Sequence, residues 1–154
     1  MKKIFLFFAI ILCSASVFAQ NKNRIEISAT EYYSFGANKI NDEVSLGYAF
    51  NNFGINLNVD WLNLPEARVM GESLAFSIPS KRDGAFSINP EIGIGIAHGK
   101  FDAKESSVKV QSYIGSSLNF KIMNNISSGF VMRFMYIDSY GSMFMLGSRL
   151  ALSF

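Results

Sequence analysis

Residues 86–98 read Phe86-Ser87-Ile88-Asn89-Pro90-Glu91-Ile92-Gly93-Ile94-Gly95-Ile96-Ala97-His98. Phe86, Ile88, Pro90, Ile92, Ile94 and Ile96 take alternate positions, and Ser87, Asn89, Glu91, Gly93, Gly95 and Ala97 take the others. Successive side chains of a β-strand point to opposite faces, so this spacing predicts a strand with one apolar and one small or polar face. A helical stripe would instead repeat every three to four residues.

The same period runs through the rest of the chain. Val108, Val110, Ile114, Leu118 and Phe120 alternate with Lys109, Gln111, Tyr113, Gly115, Ser117 and Asn119. Ile126, Phe130, Met132, Phe134 and Tyr136 oppose Ser127, Gly129 and Arg133, with Val131, Met135 and Ile137 out of step. Phe144, Leu146, Leu150, Leu152 and Phe154 oppose Gly147, Arg149, Ala151 and Ser153. In the first half, Ile25, Ile27, Ala29, Tyr33 and Phe35 form one face, with Glu31 sharing it. Val44, Leu46, Tyr48 and Phe50 form the next, followed by Phe53, Ile55, Leu57, Val59 and Trp61. Residues 68–78 are the least regular, because Glu72 shares the face of Leu74, Phe76 and Ile78; either that end rises above the apolar band or a bulge near Gly71 shifts the phase. Eight strands result, each about 9–13 residues long, the length a tilted membrane-crossing strand requires. Turn-rich linkers separate them at 36–42, 51–52, 63–66, 79–85, 99–106, 121–125 and 138–142.

Composition narrows the class. The chain has 154 residues, 49% hydrophobic and 17% charged, with a single Cys. That is too apolar and too nearly neutral for a disordered chain, and too poor in Cys for a disulfide scaffold. The one long apolar run, Ile4 to Leu12, is nine residues, about half of what a spanning helix needs. Lys2 and Lys3 precede it, and Val17 and Ala19 suit the small positions before a cleavage site. Residues 1–19 therefore read as a cleaved signal peptide and residues 20–154 as one barrel domain. Loss of the first 19 of 154 residues leaves 135, without Cys, in which 12 basic residues face 12 acidic ones. No basic patch points to nucleic acid.

A period of two does not say which face is outside. In a soluble lipocalin-like barrel the apolar face points inward around a small apolar ligand. In an outer-membrane barrel it points to lipid. Three features favour lipid: strands longer than the soluble average of about 5–6 residues, an opposite face rich in Gly, Ser, Ala and Asn that suits a narrow lumen, and a chain ending Leu150-x-Leu152-x-Phe154.

From Arg24 to Phe154 the chain resembles the small eight-stranded outer-membrane proteins of the OmpA and OmpX type. The resemblance implies an all-β, eight-stranded antiparallel up-and-down transmembrane β-barrel of a Gram-negative outer membrane. It implies a structural or interaction role, without an open pore, and assembly by the machinery that reads Leu150, Leu152 and Phe154. The expected surroundings are outer-membrane lipid and lipopolysaccharide, and a monomer is expected. With an even strand number both termini face the periplasm, and the chain stops with the barrel, so no peptidoglycan-binding domain is expected to follow.

The interface aromatics of such a barrel are Tyr33, Phe35, Phe50, Phe53, Trp61, Phe120, Tyr136 and Phe154. Glu26, Glu43, Asp60, Glu91, Lys109, Arg133 and Arg149 fall on the lumen face and are expected to pair, because an unpaired buried charge costs several kcal/mol. No cofactor or metal is expected, since His98 is the only His and the mature chain has no Cys. A lipid A-modifying barrel enzyme is the remaining alternative. Lipid A deacylases resemble a His-x-Ser arrangement, but Lys100 stands where the Ser would be.

Overall fold

The computed structural model describes residues 24–50, 53–65, 67–78, 86–100 and 106–154. Residues 1–19, read as the signal peptide, lie outside them. The described chain forms β1 (Arg24–Ser34), β2 (Lys39–Ala49), β3 (Gly54–Asn63), β4 (Arg68–Ser77), β5 (Phe86–Lys100), β6 (Ser106–Met123), β7 (Ile126–Ile137) and β8 (Gly141–Ser153). Each strand pairs with its sequence neighbour, and β8 pairs with β1, giving a closed antiparallel barrel. Closure leaves no open edge. The seam extends to the last residue: Phe154 N–H donates to the Ile25 carbonyl at 2.9 Å, and Ile25 N–H to that of Phe154 at 3.2 Å.

The strands run further than the apolar alternation indicates. Lys39–Asp42, assigned to a linker from sequence, is the start of β2, and Lys121–Met123 belongs to β6. Ladder hydrogen bonds continue past the last apolar pair, because backbone pairing is indifferent to side-chain polarity. Asn38 and Ser139 adopt positive φ (54° and 63°) in the tight turns before β2 and β8.

The large apolar side chains stand outside. Ile92 is 60% and Ile94 61% exposed, with Leu57, Val110, Ile114, Phe130 and Leu150 likewise on the outer wall. This placement is incompatible with the lipocalin-like alternative, whose apolar face would line the lumen. Around β4 the register is continuous from Gly54–Ser77 to Asn63–Arg68, with no bulge at Gly71. Glu72 therefore stands on the outer wall, opposite Val59 and Ile96. Glu31 does too, and it lies directly across from Asp42.

The lumen is layered. Leu62, Leu64, Val69, Met135, Ile137, Met143 and Met145 are buried inside the end away from the termini. A polar layer crosses the middle. Toward the termini lies a cavity of about 110 Å³ bordered by Glu26, Asn56, Asn89, Asn119 and Arg149. Alternation alone does not mark the apolar layer as lumen filling. Its trace in the sequence is the broken alternation at Val131, Met135 and Ile137, where both faces of β7 are apolar.

Candidate functional site: the buried charge layer

The middle layer is organised by Arg133 of β7, which is 2% exposed. Alternation sends Phe134 and Met132 outward and Arg133 inward, where it spans the lumen. Its Nη1 lies 2.5 Å from Glu43 Oε2 and 3.3 Å from Asp60 Oδ1, and its Nη2 lies 3.0 Å from Glu91 Oε1. The three carboxylates come from β2, β3 and β5, so one guanidinium fork ties three walls of the barrel to β7. Glu43 and Asp60 are direct register partners, and without the cation between them their repulsion would be unrelieved.

Two tyrosines complete the layer. The Arg133 guanidinium sits 3.8 Å from the ring centre of Tyr113 and 4.9 Å from that of Tyr32. Tyr32 donates to Glu43 at 3.3 Å. Asn58 donates to the Tyr113 hydroxyl at 2.6 Å, and Gln111 donates to Asp60 at 3.4 Å. Tyr113 fits because Gly93 faces it across the lumen wall; a Cβ there would run into the ring. Sequence reasoning does not single out these four polar partners, although each occupies a lumen-phase position.

Arg149 belongs to a second pair nearer the termini. Its Nη2 lies 2.5 Å from Glu26 Oε1, and Glu26 also receives a bond from Ser153 at 3.5 Å. Lys109 lies outside both networks: its ammonium donates to Ser139 Oγ at 3.3 Å, beside the turn before β8. Lys109 is the fourth residue of β6 and sits near the rim, beyond the reach of the central carboxylates.

The aromatic positions divide between the two ends. Tyr33, Phe35, Trp61 and Tyr136 are exposed on the outer wall toward the loop end. Phe53 and Phe120 are exposed toward the termini, and Phe50 and Phe154 are half-buried there. Phe50 stacks on Phe53 at 4.4 Å between ring centres, and Phe35 leans on Phe144 at 5.7 Å. Leu150 is exposed and Leu152 half-buried on the same outer face as Phe154.

His98 is half-buried on the outer wall, with Met70 and Val108 as its register partners. Neither can orient an imidazole or supply a nucleophile. No group of three or more metal-ligating side chains occurs among the described residues.

No protein-family model matches the chain, and no curated protein matches it. Solved structures do. The N-terminal β-barrel domain of Pseudomonas aeruginosa OprF aligns over 88% of this chain and 100% of its own, at 16% identity and a TM-score of 0.69. A major outer membrane protein from Thermus thermophilus aligns over 87% and 100%, at 12% identity and a TM-score of 0.60. Neisserial surface protein A aligns over 86% and 96%, at 11% identity and a TM-score of 0.56. The chain thus shares the fold of eight-stranded outer-membrane barrels.

Proposed function

We propose that the chain is an integral outer-membrane β-barrel of a Gram-negative cell with a structural or interaction role. The observation that carries the reading is the inversion of the barrel: its large aliphatic side chains stand outside while a guanidinium and three carboxylates are buried inside. In water such a surface would drive aggregation; in hydrocarbon it is the favourable one. A closed ladder also satisfies the backbone where lipid cannot.

The lumen serves as a core rather than a conduit. The Arg133 layer and the apolar layer lie in series across it, and eight strands leave room for little beyond side chains. An enzymatic role finds no support at His98. In this reading residues 1–19 direct export and are removed, both termini face the periplasm, and the assembly machinery engages the strand ending Leu150-x-Leu152-x-Phe154.

Membrane fractionation combined with heat-modifiable gel migration tests the proposal. The protein should require detergent for extraction and should migrate faster unboiled than boiled. Recovery as a soluble protein without detergent would overturn it.

A further inference from the structure

The outer wall carries a trough. Ser112 of β6 points outward between its register partners Ile94 and Tyr136, and is much smaller than either. Leu74, Ile92 and Phe134 extend the walls of this open depression of about 520 Å³, whose lining is almost wholly apolar. At the loop end the same strands turn cationic on the same face. From Ile94, β5 continues to Lys100, six residues on, or roughly 20 Å at ~3.3 Å per residue.

Arg68 opens β4 beside it. The register pairs Met70 with His98 and Val69 with Gly99, which brings Arg68 and Lys100 together at the rim. Both are exposed, and among the described residues no carboxylate forms an ion pair with either. Like charges placed side by side repel and favour an intervening anion.

We propose that this face binds an anionic lipid, with its phosphate between Arg68 and Lys100 and an acyl chain in the trough over Ser112. The assignment rests on the membrane reading above and adds a site to it. Two observations select a lipid over a free anion. The cations sit at the headgroup end of an apolar wall, and the trough, bordered by Leu74 and Phe76 of β4 and by Ile92 and Ile94 of β5, lies below them on the same face. Glu72, four residues below Arg68 on the same face, repels a phosphate that would sink deeper and so fixes the headgroup at the rim.

The test uses the full mature chain refolded into nanodiscs of phosphatidylcholine doped with phosphatidylglycerol, followed by mass spectrometry of the lipids retained on gentle extraction. The wild type should retain phosphatidylglycerol preferentially. The Arg68→Gln/Lys100→Gln double variant should lose that preference by roughly fivefold per cation removed. Ser112→Phe, which fills the trough and leaves the cations, should reduce retention of the bound lipid. Heat-modifiable migration verifies that each variant is a barrel. Equal retention of both lipids by the wild type, or unchanged preference in the folded double variant, would overturn the site while leaving the membrane reading standing. Failure of the wild type to enter the discs would overturn both.

Discussion

The guanidinium of Arg133 lies 3.8 Å from the ring centre of Tyr113, which places a fully buried cation on an aromatic face while its nitrogens hold three carboxylates. A cation enclosed in this way is easier to keep than to replace. Arg133→Leu leaves Glu43, Asp60 and Glu91 buried without their partner and should cost about 3–5 kcal/mol. Urea unfolding in lipid vesicles, followed by Trp61 fluorescence, measures it. A loss of less than about 1 kcal/mol, the scale of an exposed pair, would mean that the layer is not held by these ion pairs. Arg133→Lys should fall between, because one ammonium cannot present two parallel donors.

The contact of Gly93 with Tyr113 predicts a coupled pair. Gly93→Ala should destabilise the barrel, since the new methyl group meets the tyrosine ring. With Tyr113→Ala in the background the same change should cost much less. The double-mutant cycle should therefore show a coupling of about 1–3 kcal/mol. Additive effects would show that the ring has space to move. Gly95→Ala should be the harsher single change, because its Cβ would meet backbone of β4 rather than a side chain alone.

Glu31 and Asp42 face each other across β1 and β2 on the outer wall. Two carboxylates opposite one another in an apolar surrounding oppose folding in lipid, although by less than the ~2–4 kcal/mol of a midplane Arg or Lys. Glu31→Leu and Asp42→Leu should each raise the urea midpoint in vesicles. The increments should not be independent, because removing one acid already relieves the other of its repulsion. A lowered midpoint in either single variant contradicts this.

The apolar layer predicts a different sensitivity. Met135 and Met145 are 0% exposed inside the barrel. Met135→Ala or Met145→Ala should cost about 2–5 kcal/mol, as in the core of a soluble protein. Polar replacements on the opposite half of the lumen, such as Asn56→Ser at the border of the cavity, should be nearly neutral. Thermal unfolding in detergent compares the two directly.

Much of this architecture is visible in the residues themselves. Ile88 through Ile96 show the period, Phe144, Leu146, Leu150 and Leu152 carry it through the last strand, and the inward phase of Glu43, Asp60, Glu91 and Arg133 places four charges inside one lumen. Which of them meet is set by register and strand stagger, and alternation carries neither. That is why Lys109, in phase with Arg133, lies near the rim and bonds Ser139 instead of a carboxylate. Met135, Ile137 and Met143 defeat the reading for another reason. Binary patterning assigns one polarity to each face, whereas this lumen is apolar at one end and polar at the other. The outward Glu72 is the same problem reversed: its phase is regular, and a carboxylate simply stands on the apolar wall.

The uneven filling of the lumen bears on how such a barrel could enter a bilayer. In the orientation proposed above, with both termini in the periplasm, the loop end would travel through hydrocarbon first. That end carries apolar side chains on both sides, Leu62, Ile137 and Met143 within and Ile40, Trp61 and Tyr136 without, beside the exposed cations Lys39, Arg68 and Lys100 of its rim. The charged layer lies deeper in the cylinder, enclosed by its own walls. A barrel that closed before entering would lead with this end and keep its ion pairs off the lipid.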